Sequence, residues 1–62
     1  MNNIKHLREN SEMTQDELSR LVGVDRVTIA NWESGKTEPK LSQAIKIANA
    51  FGVNLDALWV EK

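Results

Sequence analysis

Between positions 26 and 31 this 62-residue chain places Arg26, Val27, Thr28, Ala30 and Asn31 in one short stretch. At about 100° per residue on a helix, Val27 and Asn31, four apart, share a face with Ala30 beside them, while Ile29 and Trp32 fall on the opposite one. A purely solvated helix face is expected to carry Glu and Lys. One made of Val, Ala and Asn reads as a contact surface. The chemistry open to it is hydrogen bonding to base edges. A guanidinium such as that of Arg26 bonds O6 and N7 of one guanine, a carboxamide such as that of Asn31 bonds N6 and N7 of adenine, and Val27 and Ala30 offer apolar contact to a thymine methyl. The plainer readings are a solvated charge for Arg26 and burial of Val27 and Ala30 under a protein partner. Trp32 shares the face of Ile29 and reads as core, not as a stacking platform.

Catalytic chemistry has little to work with. There is no cysteine and one histidine, His6. No glycine-rich phosphate loop occurs, and the paired carboxylates sit at cap positions. An enzyme is not expected, nor a metal, cofactor or small-molecule substrate; His6 reads as a surface side chain on a helix. Composition is that of a soluble globular domain, 40% hydrophobic and 27% charged. No apolar run approaches the roughly 18 residues a membrane span requires, and the start has no signal-peptide pattern. We therefore expect a single domain over residues 1–62, cytoplasmic and without membrane contact. Eight Lys and Arg against nine Asp and Glu give a net charge of −1, whereas nucleic-acid binders usually carry a basic footprint. Binding depends on the field within a Debye length of about 8–10 Å, so acidic residues on the far side are compatible with such a partner.

The elements that must position residues 26–31 are marked by their ends. Asn2 or Asn3 can cap a first helix running to about Asn10. Thr14-Gln15-Asp16-Glu17 is a capping box that opens a second helix, and Gly23 ends it. Leu18, Leu21 and Val22 supply its predicted buried stripe. Asp25 caps a third helix that stops at Ser34-Gly35, followed by a loop through Pro39. In the fourth helix Leu41, Ala44, Ile45, Ala48 and Phe51 fall in a helical stripe predicted to be buried, and Gly52 stops it. Asn54 can cap a last short helix from Leu55 to about Val60. No strand-like alternation appears, so the prediction is an all-α fold of five helices. Helix, tight turn at Gly23 and second helix, over Thr14–Lys36, form the helix-turn-helix pattern.

These residues resemble a known family. Thr14-Gln15, Leu18, Gly23, Ile29 and the run Asn31-Trp32-Glu33-Ser34-Gly35-Lys36 are similar to the lambda-repressor-like helix-turn-helix domains of phage repressors, Cro proteins and xenobiotic-response-element-type bacterial regulators. The likeness extends through the Pro39 loop, the fourth helix and Gly52–Leu58. It implies a compact five-helix domain that regulates transcription by binding double-stranded DNA, with the third helix in the major groove. By position, it implies base contacts from Arg26, Val27 and Asn31, a contact from Gln15 to an outer base or a phosphate, and phosphate contacts from Thr28, Lys36, Thr37 and Lys40. It also implies a partly buried ion pair between Arg8 and Glu33. Two positions depart from the family's pattern. Ser19 stands where alanine is preferred, so its hydroxyl needs a local partner; Val27 stands where a polar side chain is common.

A lone helix-turn-helix covers one half-site, and a two-fold operator needs a dimer with recognition helices about 34 Å apart. The C-terminal segment carries Leu55, Leu58, Trp59 and Val60. An isologous homodimer contact through Leu55, Trp59 and Val60 is one expectation; Trp59 simply covering the core is the other. The resulting reading is a sequence-specific, repressor-like regulator that acts as a dimer, weak without DNA. The rival reading is a protein-interaction module or DNA-binding antitoxin that holds a protein through the face of Val27 and Asn31.

Overall fold

The computed structural model describes residues 2–59. Four α-helices follow one another, α1 (Ile4–Asn10), α2 (Gln15–Val22), α3 (Arg26–Ser34) and α4 (Leu41–Phe51), and a 3-10 helix (Leu55–Trp59) closes the chain. No strand occurs among the described residues. The predicted final helix therefore takes the tighter 3-10 form, with the Ala57 N–H bonded to the Asn54 carbonyl at 3.0 Å.

Each helix α2 and α3 starts where a side chain satisfies an orphan backbone donor. Thr14 Oγ1 accepts from the Glu17 N–H at 3.0 Å, and Glu17 Oε1 accepts from the Thr14 N–H at 2.8 Å. Asp25 Oδ1 does the same for the Thr28 N–H at 3.1 Å. Between them, Gly23 takes the left-handed conformation, φ +84°, so that its own N–H and that of Val24 both bond back to the Ser19 carbonyl. The reversal takes three residues, which holds α2 and α3 against each other. Gly23→Ala places a Cβ in that left-handed region, and we expect a loss of about 1–2 kcal/mol in a thermal or urea melt. An unchanged melt would mean the turn adapts without strain.

The core is built from all five elements: Ile4, Leu18, Val22, Ile29, Trp32, Ala44, Ile47 and Leu58 are buried, with Leu7, Met13, Val24, Ala50, Phe51 and Leu55 packed around them. The N-terminal residues tie three elements together. Asn2 Nδ2 donates to the Trp32 carbonyl at 2.6 Å, Asn3 Nδ2 to the Ala57 carbonyl at 3.2 Å, and Asn2 Oδ1 accepts from the Ile4 N–H at the start of α1.

Two predicted stripes are corrected. In α4, Leu41 and Ile45 are exposed, while Ala44, Ile47 and Ala48 are buried. Apolar residues cover an arc of about 220° on this helix, from Ala50 round to Ile45, at 100° per residue, wider than its neighbours can enclose. Spacing alone does not say which flank is left out; the fold buries the side of Ile47. In α2, Leu21 is exposed and Ser19 takes its place inside. The Ser19 hydroxyl donates to the Asp16 carbonyl at 2.6 Å, a bond within its own helix that lets a small polar residue sit at the contact.

Candidate nucleic-acid interface

Helix α3 has two faces. Ile29 and Trp32 are buried and fix it against the core. Arg26 and Val27 are exposed, and Ala30 and Asn31 are half-buried beside them. Val27 is 59% exposed, a β-branched apolar side chain left in water at the centre of the outward strip. Of the cations expected to act here, Arg26, Lys36 and Lys40 are exposed and form no ion pair among the described residues. Their charges are therefore not neutralised by ion pairs among the described residues.

Behind this face lies a buried hub. Glu33 Oε2 accepts from Arg8 Nε at 2.6 Å, and Glu33 Oε1 accepts from Arg8 Nη2 at 3.3 Å. The two side chains are 12% and 5% exposed. Arg8 Nη1 also donates to the Met13 carbonyl at 2.8 Å, at the entry to α2. One arginine thus joins α1, the α1–α2 turn and the end of α3. Its hydrogen bond to Glu33 holds the guanidinium pKa above its usual value, against the effect of burial.

Gln15 belongs to the same hub: its Nε2 donates to Glu33 Oε1 at 2.9 Å. This bond links residues eighteen apart and had no signal in the spacing. It uses one amide hydrogen and leaves the second hydrogen and the carbonyl of Gln15 for an outside partner. The first residue of α2 is in this way oriented by the last turn of α3.

At the other end of α3, Thr28 donates its hydroxyl to Asp25 Oδ1 at 2.7 Å, and its backbone N–H goes to the same oxygen. Phosphate oxygens only accept, so a phosphate contact from Thr28 requires its hydroxyl to turn away from Asp25. These two bonds hold the Asp25 carboxyl below the usual carboxylate range. Asp25 is a functional candidate that sequence reasoning treated only as a cap.

Beyond α3 the loop is fastened by backbone. The Lys36 and Thr37 N–H groups bond to the Asn31 carbonyl at 2.9 and 3.4 Å, and the Lys40 N–H is held by Gln43 Oε1 at 2.8 Å. Lys36, Thr37 and Lys40 are all exposed along this connection, and Pro39 is buried between them. Of the residues expected at a dimer contact, Leu55 is half-buried against the core, Trp59 is 41% exposed, and Val60 lies outside the described residues. No helix among the described residues is long and apolar enough to cross a membrane.

Comparison with known proteins bears on the fold and the family. Residues 4–58 match the family model described as helix-turn-helix. The chain is 39% identical over 59 residues to an uncharacterised HTH-type transcriptional regulator of Methanocaldococcus jannaschii, covering 95% of this chain and 89% of the relative. It is also 39% identical over 62 residues to the uncharacterised HTH-type transcriptional regulator YgzD of Bacillus subtilis, covering 98% and 94%. Among solved structures, the P22 c2 repressor in complex with a synthetic operator superposes with a TM-score of 0.87 at 30% identity, over 92% of this chain and 86% of that one.

Proposed function

The chain belongs to the helix-turn-helix family of DNA-binding transcriptional regulators, and on that premise we propose that it is a repressor-like protein that reads a two-fold operator as a homodimer. Helix α3 enters the major groove. Arg26, Val27 and Asn31 meet base edges, with Gln15 reaching an outer base from the start of α2. Lys36, Thr37 and Lys40 follow the phosphate backbone, and Thr28 joins them when its hydroxyl leaves Asp25. The observation that carries this reading is the outward face of α3. It is anchored behind by Ile29 and Trp32 and presents an exposed apolar residue between an exposed guanidinium and a half-buried carboxamide. The P22 c2 repressor, similar over nearly the whole chain, was crystallised with an operator. The dimer contact is assigned to Leu55, Trp59 and Val60.

Selection from a random duplex pool at graded salt tests this. The expected result is an enriched two-fold motif with half-sites about one helical turn apart, and affinity that falls steeply with salt. Arg26→Ala should relax the preference at one position and cost about 1–3 kcal/mol, whereas Lys36→Ala should weaken all sequences alike and lower the salt slope by about 1. No binding even at low salt would contradict the proposal. It would favour the second reading, a protein-interaction module or antitoxin, which the exposure of Val27 and the net charge of −1 also fit.

A further inference from the structure

We infer that Asp25 is a specificity-determining residue, a fixed carboxylate acceptor that selects cytosine at one operator position. The inference rests on the DNA reading above and goes beyond the residues assigned there. Asp25 immediately precedes Arg26 and is exposed at the end of α3 that is proposed to enter the groove. Residues at the N-terminal end of a recognition helix are those that reach base edges.

The carboxylate is held and half used. Oδ1 accepts both the Thr28 N–H at 3.1 Å and the Thr28 hydroxyl at 2.7 Å. No other residue supplies a hydrogen-bond donor to Oδ2 among the described residues. The Thr28 N–H holds Oδ1 in place even when the Thr28 hydroxyl turns to a phosphate, so the second oxygen is a pre-oriented acceptor with no donor from another residue among the described ones. The pair of Thr28 bonds also keeps the group ionised, and an ionised carboxylate only accepts.

Major-groove chemistry then separates the bases. Guanine shows O6 and N7 and thymine O4, all acceptors that repel a carboxylate, while adenine sets its N6 donor beside the N7 acceptor. Cytosine alone offers a donor, its N4 amino group, with no acceptor on the same base. Asp25 therefore favours cytosine and rejects guanine and thymine, with adenine weakened by the N7 acceptor beside its donor.

The test exploits the Thr28 clamp. In Asp25→Asn the Thr28 N–H can only donate, so the amide oxygen must stay at the Oδ1 position and the NH₂ takes the place of Oδ2. A donor replaces an acceptor at one point, and both residues are good helix caps. Asp25→Ser keeps a cap and removes the reaching group. Selection from the same random pool should give cytosine at one position for the wild type, by roughly tenfold over its alternatives. Asp25→Ser should show no preference there, and Asp25→Asn should disfavour cytosine while every other position keeps its base. Thermal melts of the three proteins confirm that each remains folded at the selection temperature. Identical motifs for all three proteins would overturn the inference and leave the DNA reading intact. A wild type that enriches no sequence would overturn both.

Discussion

Arg8→Ala loses about 3–5 kcal/mol in a urea melt, because it leaves the Glu33 carboxylate buried without its cation. A domain of this length holds roughly 3–9 kcal/mol in total, so the loss removes from about a third of that stability to all of it. The geometry explains the size of the effect. Glu33 is 5% exposed at the side chain and uses both oxygens on Arg8. Once Arg8 is gone, only the Gln15 amide remains to it, and the Met13 carbonyl loses its side-chain donor. The cost comes from the group left behind more than from the strength of the pair. Replacing both partners with apolar residues of similar size, Arg8→Met with Glu33→Leu, should therefore cost far less than Arg8→Ala alone. That double variant also frees Gln15 from its anchor, so its DNA preference at the outer base should broaden even where stability is kept. An Arg8→Ala melt that overlays the wild type would show that water reaches Glu33 and that the hub contributes little.

The second large effect separates the two faces of α3. Trp32→Ala should cost about 3–5 kcal/mol, as expected for truncating a buried aromatic residue in a packed core. Trp32 is 2% exposed, lies among the core residues, and its carbonyl receives the Asn2 side chain. Five positions earlier on the same helix, Val27→Ala should change stability by no more than about 0.5 kcal/mol, since Val27 is 59% exposed. Its effect belongs to binding: loss of apolar contact should weaken selected DNA and leave the melt unchanged. Paired urea melts and binding curves check this. A Val27→Ala variant that melts far below the wild type would mean that the strip is held under some part of the chain.

Much of this architecture was legible in local chemistry. Thr14 with Glu17, Asp25 and Gly23 each announce a helix end through a backbone donor or a left-handed residue, and these signals depend only on neighbours a few positions away. What spacing could not supply was the direction of burial where apolar residues are too many. Leu41, Ala44, Ile45 and Ala48 satisfy the same periodicity as Ala44, Ile47, Ala48 and Phe51, and only the placement of neighbouring elements decides for the second set. The candidate interface divides along the same line. The outward strip of Val27, Ala30 and Asn31 follows from the helical period, because Ile29 and Trp32 determine which side is inside. The attachment of Gln15 to Glu33 and the turning of the Thr28 hydroxyl toward Asp25 are choices among several partners within reach. The first depends on tertiary packing and the second on competition for a single proton.

The outward face of α3 and the connection after it are the surface proposed to meet DNA. The most direct measurement is a two-dimensional amide NMR titration of the protein with a selected duplex and with a scrambled one. With the selected duplex, the signals of Gln15, Arg26 to Asn31 and Lys36 to Lys40 should shift together, while Glu9, Glu12 and Lys46 stay in place; with the scrambled duplex the shifts should be smaller and vanish as salt rises. Shifts centred on another surface, or a helix α3 that does not respond to the selected duplex, would contradict the account.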